Sequence, residues 1–360
     1  MDFMKIALKL AGEANGLTSP NPPVGAVVVS NGVIVGKGAT QPAGYDHAEI
    51  VALKMASNLA QNATLYTTLE PCTHVGLTPP CTVEIIKSRI ANVHISMLDP
   101  NPQINGTGVT QLKNAGIKVT LGKYSNQTKK LYEAFEKYIR THLPFVTAKF
   151  AMTLDGKTAT KTGDSKWITS EQSLNKVHQV RSISDGILVG VNTIISDNPR
   201  LTARTPKGHP LPCQPLRIIL DSQGRTPTNA RIFSEPGCTL IATTDSDASK
   251  MDSLKDLGVE ILILPQNNKR VSLLPLLTNL AERGVVNLLV EGGGTTLSSF
   301  LESGVVDKIL AFISPTIIGG KKAFTPVSGN GLAAISDGYK LKCVEFEQVG
   351  PDMLITGYTR

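Results

Sequence analysis

Cysteine, tryptophan and long apolar runs are what this sequence has least of, and each shortage excludes something. Five cysteines in 360 residues, at 72, 81, 213, 238 and 343, form no disulfide framework of the kind small secreted domains rely on, so a reducing cytoplasmic setting fits. No segment approaches the roughly 20 apolar residues a helix needs to cross a bilayer, and no membrane partner is expected. The opening stretch MDFMKIALKLAGEANG breaks its apolar residues with Lys5, Lys9 and Glu13, which reads as a helix and not as the unbroken core of a signal peptide. Dense Lys/Arg runs and basic segments interleaved with aromatics are missing too. The net charge of +7 is spread as 13 basic against 9 acidic residues up to residue 143 and 23 against 20 beyond it. Such a diffuse excess suits anionic small molecules and lacks the stripe that grips nucleic acid. There is no internal repeat and no low-complexity linker. The length allows two domains, each with its own core.

What is present is an alternation of strands and helices. A helix over residues 2–15 precedes strands at 24–29 and 33–35, joined by the hairpin signal Ser30-Asn31-Gly32. Helices over 47–57, 81–89 and 106–115 alternate with strands at 65–69, 93–97 and 117–121, and 125–140 reads as a connecting helix. From about Pro144 the pattern restarts, with short aliphatic runs at 145–150, 186–190, 217–220, 239–242, 260–264, 286–290 and 308–312. Late strands near Val344 and Leu354 have no helix between them and are expected to pair as a hairpin. The expected fold is therefore α/β throughout, divided as 1–143 and 144–360.

The chemistry of the first half lies in His47-Ala48-Glu49 and in Pro71-Cys72 followed by Cys81. One imidazole and two thiolates form a donor set that tetrahedral zinc prefers, and three protein ligands leave its fourth position for water. Zinc lowers the pKa of such a water to about 7, so the protein need only move protons, and Glu49 is placed to do so. The order His-x-Glu then Pro-Cys is that of zinc deaminases acting on amino-bearing pyrimidine or purine rings, whose usual Cys-x-x-Cys is widened here to eight intervening residues. Either motif alone is common on protein surfaces; the ordered set is not. Each ligand is expected near a helix start, where partial positive charge favours thiolate.

In the second half, Leu288-Leu289-Val290-Glu291-Gly292-Gly293-Gly294-Thr295-Thr296 runs from a strand through three glycines into a helix. Amides at such a turn can cradle a phosphate; the same triplet can also be only a tight corner, and the residues alone leave both open. The spacing is neither G-x-G-x-x-G nor a P-loop.

Together these residues resemble the bifunctional deaminase/reductase family of bacterial riboflavin biosynthesis, over nearly the whole chain. The likeness rests on Thr18-Ser19-Pro20-Asn21-Pro22-Pro23-Val24-Gly25-Ala26, His47-Ala48-Glu49, Glu70-Pro71-Cys72 and Thr78-Pro79-Pro80-Cys81 in the first half. In the second it rests on Lys149, Thr153-Leu154-Asp155-Gly156-Lys157, Trp167-Ile168-Thr169, Gly190-Val191-Asn192-Thr193, Asp197-Asn198-Pro199 and Glu291-Gly292-Gly293. The resemblance implies a cytidine-deaminase-like domain that holds Zn2+ through His47, Cys72 and Cys81, with Glu49 as proton carrier. It implies a dihydrofolate-reductase-like domain that uses NADPH, with Lys149 catalytic. Ala151, Trp167, Thr193, Asp197, Ser222 and the run Gly293, Gly294, Thr295, Thr296, Leu297, Ser298 and Ser299 become expected cofactor contacts. Ser165, Arg181, Leu201, Arg204 and Glu291 become expected substrate contacts. The implied substrate is a ribosylated, phosphorylated pyrimidine, deaminated on its ring and then reduced on its sugar.

Three positions depart from the family's usual pattern: Thr40 and Val51 where it has His, and Leu77 where it has Arg or Lys. No ligand or proton carrier is touched, so chemistry should survive while substrate anchoring changes, with Asn21 and His74 the nearest compensating groups in sequence. Simpler readings stand beside several residues: Asp155-Gly156 as a turn, His94 as a core residue, Lys321-Lys322 as a solvated pair, and Trp167, the only tryptophan, as core. Two other functions use the same zinc set. A tRNA-type base deaminase would need an RNA-gripping second half, which the charge distribution does not offer; a zinc-stabilised nucleotide sensor would have no use for Glu49. A homo-oligomer is expected, a dimer above all, since two-domain enzymes of this size commonly pair as symmetric dimers.

Overall fold

The computed structural model describes residues 1–74, 79–244 and 248–360. Leu77 and Thr78 lie outside the described residues. The chain divides into two compact units, Met1–Leu143 and Pro144–Arg360.

The first unit runs α1 (Phe3–Ala14), β1 (Gly25–Ser30), β2 (Val33–Ala39), α2 (Ala48–Ala56), β3 (Thr64–Leu69), α3 (Cys81–Lys87), β4 (Asn92–Met97), α4 (Thr107–Asn114), β5 (Lys118–Leu121) and α5 (Ser125–Thr141). Its sheet has the order β2-β1-β3-β4-β5, with β1 antiparallel to both neighbours and β3, β4 and β5 parallel. The β1–β2 turn places Asn31 and Gly32 at positive φ, the conformation that an Asn-Gly hairpin supplies without strain. Alternation along β1 splits its side chains between two layers. Val27 and Val29 pack with Met4 and Ala7 of α1, whereas Ala26 and Val28 join Ala48, Ala52, Leu65, Ile85, Val93, Ile95 and Leu112. Glycines let α2 lie against β2: a methyl group at Gly38 would meet the Ala48 carbonyl oxygen at 2.1 Å, and one at Gly36 would meet that of Ala52 at 2.1 Å. This contact fixes the start of α2, where His47 and Glu49 sit.

The second unit runs β6 (Phe145–Thr153), α6 (Glu171–Ser182), β7 (Gly186–Gly190), α7 (Val191–Asp197), β8 (Leu216–Leu220), β9 (Thr239–Thr243), α8 (Ala248–Lys255), β10 (Glu260–Ile263), β11 (Gln266–Asn267), β12 (Arg270–Val271), α9 (Leu273–Glu282), β13 (Asn287–Glu291), α10 (Gly294–Glu302), β14 (Lys308–Ser314), β15 (Lys342–Val349) and β16 (Asp352–Tyr358). The order of its main sheet is β10-β9-β8-β7-β13-β6-β14-β16-β15. It is parallel from β10 to β14, and the expected terminal hairpin pairs antiparallel with itself and with β14. The parallel strands are aliphatic and buried on both faces, as Ile187, Leu188, Ile218, Ile219, Leu240, Ile241, Leu288 and Leu289 are, because helices cover both sides of such a sheet. Loops at the carboxyl ends of parallel strands then gather at one edge, the usual place for a ligand crevice.

Two expectations change. Cys72 is not at a helix start; it follows β3 in irregular chain. His94 is half-buried, stacked on Tyr66 with ring centroids 4.6 Å apart and hydrogen-bonded to Thr120. Asp155 has a turn role: it accepts from Thr153, Ile318 and Gly319.

Candidate metal centre and the cavity of the second unit

In the first unit, the turn into α2 brings His47 to the residue before the helix, and α3 opens on Cys81. The sulfur of Cys72 accepts the Cys81 backbone N–H at 3.3 Å, so the start of α3 polarises both thiols although only one belongs to the helix. His47 Nδ1 lies 3.5 Å from Cys72 Sγ and 3.3 Å from Cys81 Sγ. Ligands at zinc's usual bond lengths on a tetrahedron stand roughly 3.3–3.8 Å apart, so these donors fit a single zinc ion in spacing and in chemical type. Among the described residues this is the group of His, Cys and acidic side chains whose donor atoms converge within 4.8 Å. Pairing with Cys81, opposed by burial and helped by His47, holds Cys72 well below the ordinary thiol range, while the same pairing and burial push Cys81 up.

Glu49, on the first turn of α2, is only 3% exposed. Its Oε1 accepts from Thr67 Oγ1 at 3.2 Å, and its Oε2 is 3.6 Å from Cys81 Sγ. Burial first and the neighbouring Cys72 charge second push its carboxyl above the ordinary value, the direction a proton carrier needs. Thr67 was not foreseen as part of this site; the sequence signal was a hydroxyl in a strand whose other alternate positions are buried. Glu70 of the Glu-Pro-Cys motif has a structural task, its carboxylate accepting from the backbone N–H groups of Asp99, Gly106 and Val109. Asn21 lies in a turn closed by Thr18 Oγ1 donating to the Asn21 carbonyl at 2.9 Å, and His74 is exposed. Thr40 is buried and its hydroxyl accepts the Val24 N–H at 3.0 Å, tying the end of β2 to the start of β1.

In the second unit, a cavity of about 1360 Å³ opens at the carboxyl ends of the parallel strands. Lys149 and Glu291 are register partners on β6 and β13, with Nζ 3.2 Å from Oε2. Arg181 clamps the same carboxylate, Nε to Oε1 at 2.6 Å and Nη2 to Oε2 at 2.8 Å, and spends Nη1 on the Thr202 carbonyl at 3.1 Å. Burial works to raise Glu291, yet Arg181 and Lys149 outweigh it and hold the carboxyl well below its ordinary range. Arg181 shows the matching rise against its own burial. Arg204 is the less committed guanidinium: its Nε is buried without a hydrogen-bond partner. Ser165 and Leu201 line the cavity with Lys149, Arg181 and Glu291; Arg204 stands outside its lining.

Of the expected cofactor contacts, Ala151, Thr193, Asp197, Ser222, Gly293, Gly294, Thr295, Thr296, Leu297 and Ser299 line this cavity. Ser298 does not; it is buried and donates to Glu302 Oε1 at 2.6 Å. Trp167 is 75% exposed and also outside the lining, which removes the core reading for the only tryptophan. Gly292 and Gly293 take φ of +71° and +73°, values that a side chain would oppose. The chain can thus turn directly from β13 into α10, whose first amides have no intrahelical acceptor. An open glycine turn on a helix start, in a cavity of this size, fits the diphosphate of a dinucleotide such as NADPH. Lys321 and Lys322, expected as a solvated pair, are exposed and line the same cavity.

Comparison with known proteins follows the same division. The model of the RibD C-terminal domain matches residues 144–355, and that of the cytidine and deoxycytidylate deaminase zinc-binding region matches residues 1–97. The riboflavin biosynthesis protein RibD of Aquifex aeolicus is 44% identical over 98% of this chain and 97% of its own. The structure of Acinetobacter baumannii RibD superposes with a TM-score of 0.86 at 34% identity, covering 99% of this chain and 97% of that one. That of the Thermotoga maritima diaminohydroxyphosphoribosylaminopyrimidine deaminase/5-amino-6-(5-phosphoribosylamino)uracil reductase gives 0.85 at 38% identity, again covering 99% and 97%. Likeness at this level over both units sets aside the RNA-editing and sensor readings. The chain belongs to the RibD family of riboflavin biosynthesis, bifunctional enzymes that join a zinc-dependent deaminase to an NADPH-using reductase.

Proposed function

We propose that residues 1–143 deaminate 2,5-diamino-6-ribosylamino-4(3H)-pyrimidinone 5′-phosphate and that residues 144–360 then reduce the ribosyl group of the product to ribityl. His47, Cys72 and Cys81 would hold the zinc ion, which supplies Lewis acidity toward a water at near-neutral pH. Glu49 takes a proton from the entering water and delivers it to the amino group on the attacked ring carbon, whose C–N bond breaks as it leaves as ammonia. Its burial and the Thr67 hydrogen bond fix the carboxylate for both transfers.

NADPH would lie along the wall formed by Ala151, Thr193, Ser222, Gly293–Leu297 and Ser299, and would supply the hydride. Lys149 gives a proton to the sugar oxygen as the ring opens, and Glu291 keeps its ammonium oriented. Arg181, already bonded to Glu291, positions that carboxylate, while Arg204 has donor capacity left for an anionic group of the substrate.

The observation that carries this reading is the pairing of a convergent His47–Cys72–Cys81 set with a buried Glu49 in one unit and a Lys149–Glu291–Arg181 cluster in the cavity of the other. Incubation of the purified chain with the diaminopyrimidinone phosphate tests it. Without NADPH the deaminated ribosylaminouracil phosphate should accumulate; with NADPH the ribityl product should replace it, both identified by mass. An unchanged substrate mass in a zinc-loaded, folded preparation would reject the assignment. We further assign the enzyme to the cytoplasm, on its free thiols, and to a homodimer, to be checked by light scattering.

A further inference from the structure

Of the three metal donors, Cys72 is the one not anchored at a helix start: His47 immediately precedes α2 and Cys81 opens α3, whereas Cys72 lies in irregular chain after β3. It is nevertheless held at both of its ends. The Cys81 N–H donates to its sulfur at 3.3 Å, and the Thr82 N–H and hydroxyl donate to its carbonyl oxygen at 3.3 and 3.2 Å. Consecutive residues of α3 thus grip the side chain and the backbone of the same ligand. With Cys81 itself the next donor, this grip fixes the spacing of the two thiols.

The grip is anchored from outside, on α4. Thr82 is completely buried, and its hydroxyl proton lies between the Cys72 carbonyl and Gln111 Oε1, the latter at 2.8 Å. Gln111 therefore ties the start of α3 to α4. The beginning of α4 meets the same stretch of chain at three further points. The Glu70 carboxylate accepts the N–H groups of Gly106 and Val109 at 2.9 and 3.0 Å. A methyl at Gly108 would stand 2.4 Å from the Pro71 carbonyl oxygen, so the helix backbone lies directly on the residue before Cys72. On the other side of Cys72, the hydroxyls of Thr73 and Thr107 are 3.1 Å apart. Residues 70, 71 and 73 meet α4 directly, and Cys72 meets it through Thr82 and Gln111. Yet α4 supplies no donor to the metal and lies beyond residues 1–97, the segment that matches the deaminase zinc-binding region.

We propose that α4 is the support of the metal site and that Thr82 and Gln111 are positioning residues for Cys72, deciding how tightly zinc is held. This rests on the reading of His47, Cys72 and Cys81 as the zinc donors. A metal site loses affinity when the groups behind its ligands let them wander, and removing one such group typically costs about ten- to a hundredfold. Cys72 is the donor most open to that loss, having no helix of its own. A hydroxyl on residue 82 bonds its carbonyl, and a methyl in the same place does not. Gln111 is bonded to Thr82 and not to Cys72, so its contribution exists only while that hydroxyl is present.

The test is the zinc affinity of the full chain by chelator competition, together with the thiolate-to-metal absorption of the cobalt-substituted protein. Thr82→Val should weaken zinc binding about ten- to a hundredfold and lower the cobalt absorption, and Thr82→Ser should restore most of both. Gln111→Leu should weaken binding in the parent and change it by no more than about twofold in the Thr82→Val background. Gln111 is only half-buried, so its variant tests the relay even if Thr82→Val fails to fold. Ser96→Ala removes a hydroxyl that is equally buried but bonded to Thr128 and to the Lys123 carbonyl; it should lower the melting temperature and leave zinc affinity unchanged. A folded Thr82→Val protein with parental zinc affinity overturns the inference. So does a loss of zinc in Ser96→Ala as large as in Thr82→Val at an equal fall in melting temperature, because affinity would then simply follow stability. Fully additive losses from Thr82→Val and Gln111→Leu overturn the route through Thr82. A parent that binds neither zinc nor cobalt rejects the metal-site reading as well; a parent that binds zinc tightly, with the Thr82 and Gln111 variants unaffected, rejects this inference alone.

Discussion

Lys149 Nζ and Glu291 Oε2 stand 3.2 Å apart across the β6–β13 register, and the second oxygen of that carboxylate belongs to Arg181 at 2.6 Å. One buried anion thus serves two cations, and its removal leaves both without their partner. Glu291→Gln should cost about 3–5 kcal/mol, the usual consequence of breaking a buried ion pair from one side, seen as a lower melting temperature of the reductase unit. Lys149→Met removes a cation instead and should reduce reductase kcat with deamination unchanged. A Glu291→Gln variant as stable as the parent would show that the cluster does not hold the cavity together.

The same cluster sets an acid limit. Although burial would raise Glu291, Arg181 and Lys149 hold its folded-state pKa below the ordinary 4.5. A depressed carboxyl contributes stability that is fully present above its unfolded pKa and is lost as pH falls toward the folded one. Parent and Glu291→Gln melting temperatures should therefore differ most near neutrality and converge as pH drops below about 4.5. A gap that is constant across that range would mean the carboxylate charge is not what stabilises.

How far the sequence reached depends on the range of the interaction. Strand and helix order was legible because aliphatic runs alternate with helical spacing, and the Asn31-Gly32 turn because its backbone demand is local. The convergence of His47, Cys72 and Cys81 was legible from motif order. The setting of Cys72 was not, since its sulfur borrows the amide of Cys81 from another segment. Glu291 reads in sequence as a residue beside a glycine turn; only the parallel pairing of β13 with β6 and the face of α6 that carries Arg181 reveal that its oxygens are already occupied. Thr67 escaped for the same reason, its partner Glu49 lying across the core.

Division of labour follows from the placement of Glu49 and the metal donors in one unit and Lys149 in the other. Glu49→Gln removes the proton carrier but no zinc donor. Deamination should fall by about 10²–10⁴, the usual worth of general acid–base catalysis, with zinc content unchanged by elemental analysis. Reduction of pre-deaminated substrate should stay within about twofold. Joint loss of both activities in a folded, zinc-loaded variant would refute the two-site reading.

The close approach of α2 to β2 predicts a sensitive glycine. A methyl at Gly38 would sit 2.1 Å from the Ala48 carbonyl and 2.7 Å from the Ala52 nitrogen, backbone atoms that cannot rotate away. Gly38→Ala should displace the start of α2, cost about 1–3 kcal/mol as overpacking does, and weaken zinc retention because His47 immediately precedes that helix. Chelator competition measures the last effect. Unaltered zinc affinity in a destabilised variant would show that the metal site tolerates movement of α2.

The departures from the family pattern bear on substrate anchoring. Thr40 is committed within the fold, its hydroxyl serving Val24, so it does not replace a lost histidine as a substrate contact. Val51, on α2, brings no donor, and Leu77, outside the described residues, brings no charge. A lost charge-assisted hydrogen bond is worth roughly 1.5–3 kcal/mol, or about ten- to a hundredfold in affinity. Removing binding that ground state and transition state share raises KM and leaves kcat alone. Leu77→Arg should therefore lower the deaminase KM without raising kcat. His74, exposed at the edge of the described segment, is the nearest group in sequence able to compensate in the parent, and His74→Ala should raise KM. Steady-state deaminase kinetics on both variants decide the matter, because a Leu77→Arg enzyme with an unchanged or higher KM would place the phosphate anchor on other residues and make this departure neutral.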